Sequence, residues 1–136
     1  QPHFVVSDFW AVERVGLERA RWVYPFRALM KEGVMVAGGS DCPVEPINPL
    51  LGIQAAVVRE TFPEEGISVG EALRVYTING AYASFEDDVK GSVEVGKLAD
   101  LAVLSEDPLT VKPDKIGDIE VKMTVVGGRI VYGEQP

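Results

Sequence analysis

The sequence predicts a mixed α/β chain with a largely helical first part and a β-rich tail, and three stretches carry that prediction. Residues 34–37 are four apolar residues directly after Gly33 that stop abruptly at Gly38-Gly39-Ser40-Asp41, the pattern of a short buried strand. Ser68 followed three residues later by Glu71 is a capping-box pattern that opens a helix through Ala72, Leu73, Val75 and Tyr76. Gly127-Gly128 between two β-type runs is a two-residue hairpin signal, because both positions can take positive φ without a Cβ clash.

In chain order, residues 3–6 read as the end of a strand, after which Ser7 or Asp8 could cap a helix through a side-chain oxygen. From 9 to 30 the apolar residues Val12, Val15, Val23, Phe26, Leu29 and Met30 recur at three- and four-residue spacings among Glu and Arg. That is a helical pattern, and Gly16 and Pro25 divide it. Gly33 stands where a helix C-terminal glycine belongs. Pro43, Pro46 and Pro49 keep the stretch after Asp41 irregular, since each lacks an amide donor and holds its predecessor extended. Residues 50–58 read as a helix and 62–66 as a loop. Thr77-Ile78-Asn79-Gly80-Ala81 marks a break, with a further helical turn over 81–85. Beyond Lys90, residues 92–95, 101–104, 121–126 and 129–132 read as short strands around a loop that carries two prolines.

At 136 residues and 46% hydrophobic composition, the chain is long enough for one domain with a core. Lys and Arg number 13 against 21 Asp and Glu, a net charge of −8 without a basic cluster, which argues against nucleic-acid binding. Unbroken apolar runs are a few residues long, well under the roughly 18 to 20 that a membrane-spanning helix needs. No membrane partner is expected. A lone cysteine, Cys42, excludes an intrachain disulfide and agrees with a reducing compartment, so the expected location is cytoplasmic. Gln1-Pro2-His3-Phe4-Val5-Val6 reads as if it begins inside a structural element, and a fragment of a longer protein is expected.

Several pieces in fixed order carry a resemblance: Gln1-Pro2-His3-Phe4 with Ser7-Asp8, Gly39-Ser40-Asp41-Cys42-Pro43-Val44-Glu45-Pro46 with Pro49-Leu50, and Ala72-Leu73 followed by Tyr76-Thr77-Ile78-Asn79-Gly80-Ala81. Gly91-Ser92, Gly96-Lys97-Leu98-Ala99-Asp100-Leu101 and the stretch from Thr124 to Tyr132 complete it. Together they resemble the carboxyl-terminal part of the amidohydrolase superfamily, in its YtcJ-like branch of metal-dependent hydrolases. The resemblance implies a partial (β/α)₈ TIM barrel followed by part of a small β-sandwich. Residues 1–90 would be the last two β/α units, with strands at 3–6 and 34–38, and residues 91–136 the carboxyl-terminal share of the sandwich.

In that family the aspartate ending the eighth strand binds a divalent metal and accepts a proton from the attacking water, and Asp41 matches that position. The resemblance thus makes Asp41 both metal ligand and catalytic residue, with Zn²⁺ the expected metal by frequency. A carboxylate on a rigid strand end suits such proton transfer. Catalytic zinc usually takes three protein ligands, and this chain holds one histidine, so the remaining ligands would lie upstream and the chain alone is expected to be inactive. His3 has two open readings: a substrate-binding residue at the active-site mouth, or a buried, hydrogen-bonded histidine. Asp41 likewise has a bland alternative as a turn residue whose carboxylate bonds a nearby amide. Cys42 beside it invites a thiol-nucleophile reading, which Pro43 weakens by removing the amide that would help form an oxyanion hole. The commoner role of a lone cysteine is a small buried apolar group. Glu45, Asn48 and Arg59 could line a pocket, Asp100 reads as fixing a turn in the tail, and Trp10 and Trp22 read as core anchors.

Two functions are expected to compete. In the first, the parent protein hydrolyses carbon–nitrogen bonds other than ordinary peptide bonds in a small-molecule substrate. In the second, the chain is a non-catalytic assembly or binding module. Under either, exposed barrel-strand edges and apolar helix faces favour association with another chain, so a homo-oligomer is expected of the isolated chain.

Overall fold

Asn48 and Pro49 begin the helix against which the rest of the chain packs. In the computed structural model, which describes residues 1–133, the Asn48 side chain accepts a hydrogen bond from the Leu50 amide at 3.0 Å and Pro49 supplies a helical φ in the first turn. The helix that follows, α5 (Pro49–Val57), buries Leu50, Gly52, Ile53, Ala55 and Ala56. A helix apolar around most of its circumference has to be enclosed on several sides. Four short helices precede it: α1 (Phe4–Ser7), α2 (Ala11–Val15), α3 (Leu17–Ala20) and α4 (Phe26–Lys31). After it come a 3₁₀ turn (Pro63–Glu65), α6 (Val69–Val75) and α7 (Ile78–Ala83), then β1 (Leu101–Leu104), a 3₁₀ turn (Pro113–Asp118), β2 (Val121–Val126) and β3 (Arg129–Tyr132).

Phe26 of α4, Ile67, Ala72 and Val75 of the α6 region, and Ile116 and Ile119 of the tail close on Leu50, Ile53 and Ala56 to form one core. Burying a Leu, Ile, Val or Phe side chain contributes about 1.5–3 kcal/mol, so this cluster holds the two parts of the chain together. A polar bond reinforces it: the Gly117 amide donates to the Gln54 Oε1 of α5 at 2.7 Å. The sheet is antiparallel in the order β1-β2-β3 and reaches the core through Leu104 and Val121. Gly127 and Gly128, with φ of 54° and 78°, join β2 to β3 in the predicted two-residue hairpin. Asp100 fixes that hairpin, its Oδ1 accepting from the Gly127 amide at 2.7 Å.

Several local expectations hold. Gly16 separates α2 from α3, and Pro25 precedes α4. Gly33, at φ 79°, ends α4: its amide bonds Met30 O at 3.0 Å while the Val34 amide bonds Leu29 O at 3.1 Å, the paired pattern of a Schellman motif. The capping box of α6 is complete, with Ser68 Oγ accepting from the Glu71 amide at 3.3 Å and Glu71 Oε2 accepting from the Ser68 amide at 2.7 Å.

Other expectations are corrected. Residues 3–6 are not strand: Phe4, Val5 and Val6 bond back to Gln1, Pro2 and His3, and α1 forms instead. Residues 34–38 run between α4 and Asp41 without joining a ladder. Residues 92–95 form no strand either, being held by local bonds of Ser92 to Glu94 and of Lys97 to Ser92. A strand is stable only beside another strand, and among the described residues no strand pairs with these three segments. Trp10 and Trp22 are exposed rather than core anchors, with Arg14 stacked 5.1 Å over the Trp10 ring. Phe9 and Phe85 are exposed at 85% and 92%. Among the described residues no helix is long and apolar enough to cross a membrane.

The capping box carries a pH signature. Its hydrogen bonds from Ser68 hold the Glu71 carboxyl below the ordinary glutamate range. A depressed folded-state pKa adds stability above the unfolded value that is lost as pH falls through the folded value. Unfolding followed by circular dichroism should therefore show a contribution from Glu71 at neutral pH that fades on acidification. Glu71→Gln should remove that component, and an unchanged pH slope in the variant would refute the capping role.

Candidate active site

Asp41 lies at the far end of the extended segment that leaves α4. Two long-range bonds fix the segment on one side: the buried amide of Asn79 donates to Val36 O at 2.8 Å, and the Gly38 amide donates to Val75 O at 3.0 Å. The approach at Gly38 tolerates no side chain, since a Cβ there would stand 2.7 Å from Val75 Cγ1 and 2.9 Å from the Tyr76 ring. Asp41 itself adopts φ 54°, a left-handed conformation uncommon outside glycine, and its carbonyl closes a turn by accepting from the Val44 amide at 2.8 Å. The turn is thus made by the backbone, and the carboxylate is left exposed.

His3 is 95% covered and its Nε2 stands 3.2 Å from Asn48 O, which is the buried, hydrogen-bonded arrangement. It also helps to line a cleft of about 480 Å³, with Ser7, Glu45, Gln54 and Glu60 among the polar residues and Phe9, Leu51 and Val58 among the apolar ones. Asp41 does not line that cleft, so the two candidate residues do not share a pocket. Cys42 is free and exposed, not a buried apolar group. Among the described residues no group of three or more His, Cys, Asp or Glu side chains could hold a metal ion.

Arg59 is a strut. Its guanidinium donates to Tyr24 O at 2.6 Å and Val23 O at 3.5 Å, lies 5.7 Å over the Phe26 ring, and is lowered from its ordinary pKa by burial. Tyr24, at φ 53° and hydrogen-bonded to Asp8, is thereby fixed from both sides; burial and that bond push its phenol up to about 12. Sequence reasoning missed Asn79 and Tyr76 as supports of the Asp41 segment. The sequence pattern reads 77–81 as a break, whereas Asn79 lies in the first turn of α7.

A model of the amidohydrolase family matches residues 1–132. The Bacillus subtilis protein named "Putative amidohydrolase YtcJ" is 39% identical across 97% of this chain and 27% of its own length. An N-substituted formamide deformylase of Arthrobacter pascens is 37% identical across 81% of this chain and 21% of its own. Among solved structures, a metal-dependent hydrolase from Pyrococcus furiosus superposes with a TM-score of 0.75 at 40% identity, covering 81% of this chain and 23% of that one. The chain spans about a quarter of the length of these relatives.

Asn79→Ala would leave Val36 O without its buried donor, and an unmet buried polar group costs about 1–3 kcal/mol. The urea midpoint should fall accordingly, with amide exchange rising first at Gly38. A midpoint equal to that of the parent sequence would mean that the segment is held by other contacts.

Proposed function

The chain belongs to the amidohydrolase family, and from that premise we propose that its parent protein is a metal-dependent hydrolase of carbon–nitrogen bonds outside ordinary peptides. The observation that carries the reading is Asp41: an exposed carboxylate in a left-handed turn, at the end of a segment anchored by Asn79 and Val75. Backbone conformations of this type persist where surrounding structure determines them, and they cluster at functional sites. Relatives named as a deformylase and as a metal-dependent hydrolase support both the bond type and the need for a metal.

The residues present do not make a metal site by themselves. Asp41 offers one carboxylate, and the other donors have to come from the remainder of the parent, so the isolated chain is inactive in this reading. Zinc is the metal we assign, on its frequency in hydrolytic sites of mixed nitrogen and oxygen donors. Asp41 serves as one ligand and as the carboxylate that accepts and returns a proton during hydrolysis. His3 is a wall of the substrate cleft rather than a ligand. Residues 1–90 form the last part of the barrel and residues 91–136 part of a sandwich, with 3–6 and 34–38 becoming strands once neighbouring barrel strands pair with them.

A second reading, an assembly module, draws on the exposed Phe9, Ile47 and Phe85, apolar side chains that a partner surface would cover. Sedimentation of the isolated chain should give an oligomer, and a monomer at micromolar concentration would count against that reading. For the hydrolase, Asp41→Asn in the full-length parent should lower kcat on N-formyl amines by about 10²-fold or more, the scale of positioned acid–base catalysis, and should lower bound metal measured by mass spectrometry. Unchanged turnover and metal content would refute the role of Asp41.

A further inference from the structure

His3 Nδ1 and the Tyr76 hydroxyl are both buried without a hydrogen-bond partner. Such groups are rare in folded proteins, and each costs about 1–3 kcal/mol if left unmet. These two converge on one point. A Cβ on Gly52 would stand 1.9 Å from the Tyr76 hydroxyl oxygen and 2.7 Å from His3 Cε1, the ring carbon between Nδ1 and Nε2. The absent side chain of Gly52, on buried α5, therefore leaves the space in which the two groups meet.

Their hydrogen-bonding chemistry is complementary. Asn48 O can only accept, so the 3.2 Å contact assigns the proton of a neutral His3 to Nε2 and leaves Nδ1 an acceptor. Burial pushes the Tyr76 phenol up to about 12, so at neutral pH the hydroxyl keeps its proton and is a donor. Ser7 Oγ, also buried without a partner, belongs to a residue lining the same cleft as His3 and can donate or accept. Tyr76 is a buried donor beside the His3 ring and Nδ1 a buried acceptor on that ring, complementary groups that no other bond satisfies.

We propose that the Tyr76 hydroxyl donates to His3 Nδ1, making a buried chain from Tyr76 through His3 to the Asn48 carbonyl that positions the loop between Asp41 and α5. Asn48 is the pivot: its carbonyl receives His3 while its side chain caps α5 through the Leu50 amide. Tyr76 also touches the Gly38 position, so one side chain braces both the segment leading into Asp41 and the loop leaving it. His3 then has both nitrogens engaged within the protein and presents only ring carbons to the cleft. The significance for catalysis rests on the proposed role of Asp41, whereas the hydrogen-bonded chain does not.

Nitrogen NMR of histidine-labelled protein at about pH 8.5, where an ordinary histidine is neutral, tests this directly, because the chain holds one histidine. The expected spectrum has the Nε2–H tautomer, with the Nδ1 resonance upfield of a free pyridine-type nitrogen. Tyr76→Phe should move that resonance downfield toward the free value and should raise exchange of the Val44 amide several-fold, leaving the Glu71 amide of the capping box unchanged. A proton on Nδ1 in the unmodified protein would overturn the proposal without need of the variant. So would an Nδ1 shift or a Val44 exchange rate indifferent to Tyr76→Phe. Neither readout involves metal or turnover, so a failed hydrolase assignment would leave the result intact.

Discussion

Burial of helix α5 is the constraint on which the remaining structure depends. Leu50, Ile53 and Ala56 cannot be left to water, and the chain encloses them from opposite directions in sequence, with Phe26, Ala72 and Val75 from the helical part and Ile116 and Ile119 from the tail. Apolar burial has no direction of its own, so polar contacts fix how these parts meet. Gln54 binds Gly117, Asn48 caps the helix start, and Arg59 holds the carbonyls of Val23 and Tyr24 over Phe26. The sheet adds to this body through Leu104 and Val121 and leaves much of its apolar surface, including Val103 and Val131, exposed.

The candidate site is held from one side. Asn79 and Val75 fasten Val36 and Gly38 on the α6–α7 side, while Val34 and Met35 face outward, each about half exposed. An extended segment with alternate groups unpaired is the edge that another strand would cover. The same one-sidedness describes the chemistry: one exposed carboxylate at Asp41, and among the described residues no set of ligands around it. The relatives are about four times longer than this chain, and in the proposed reading the rest of the parent would place strands beside this edge and donors opposite this carboxylate.

What was legible in the sequence was local. Ser68 with Glu71, Gly33 after α4, Gly16 and Pro25 within the helical stretch, and Gly127-Gly128 each act over four or five residues, and each does so here. Residues 3–6 and 34–38 carry strand-like sequence yet join no ladder in this chain, because apolar β-branched runs describe what a segment prefers beside a partner, and the partner is a fact of tertiary structure. Asp41 was legible as the end of a stopped run, though its left-handed turn was not. Asn79, Tyr76 and Arg59 act across 35 or more residues through hydrogen bonds or close packing, and no spacing rule announces such contacts.

The most direct test of this account is hydrogen exchange at the amides of Met35, Val36 and Ala37, measured in the 136-residue chain and in the full-length parent. The account predicts rapid exchange in the isolated chain, where these amides find no backbone acceptor among the described residues, and protection by orders of magnitude in the parent, where neighbouring strands receive them. Equally rapid exchange in both would contradict the assignment of this segment as a barrel strand, and with it the placement of Asp41 at the mouth of a hydrolase site.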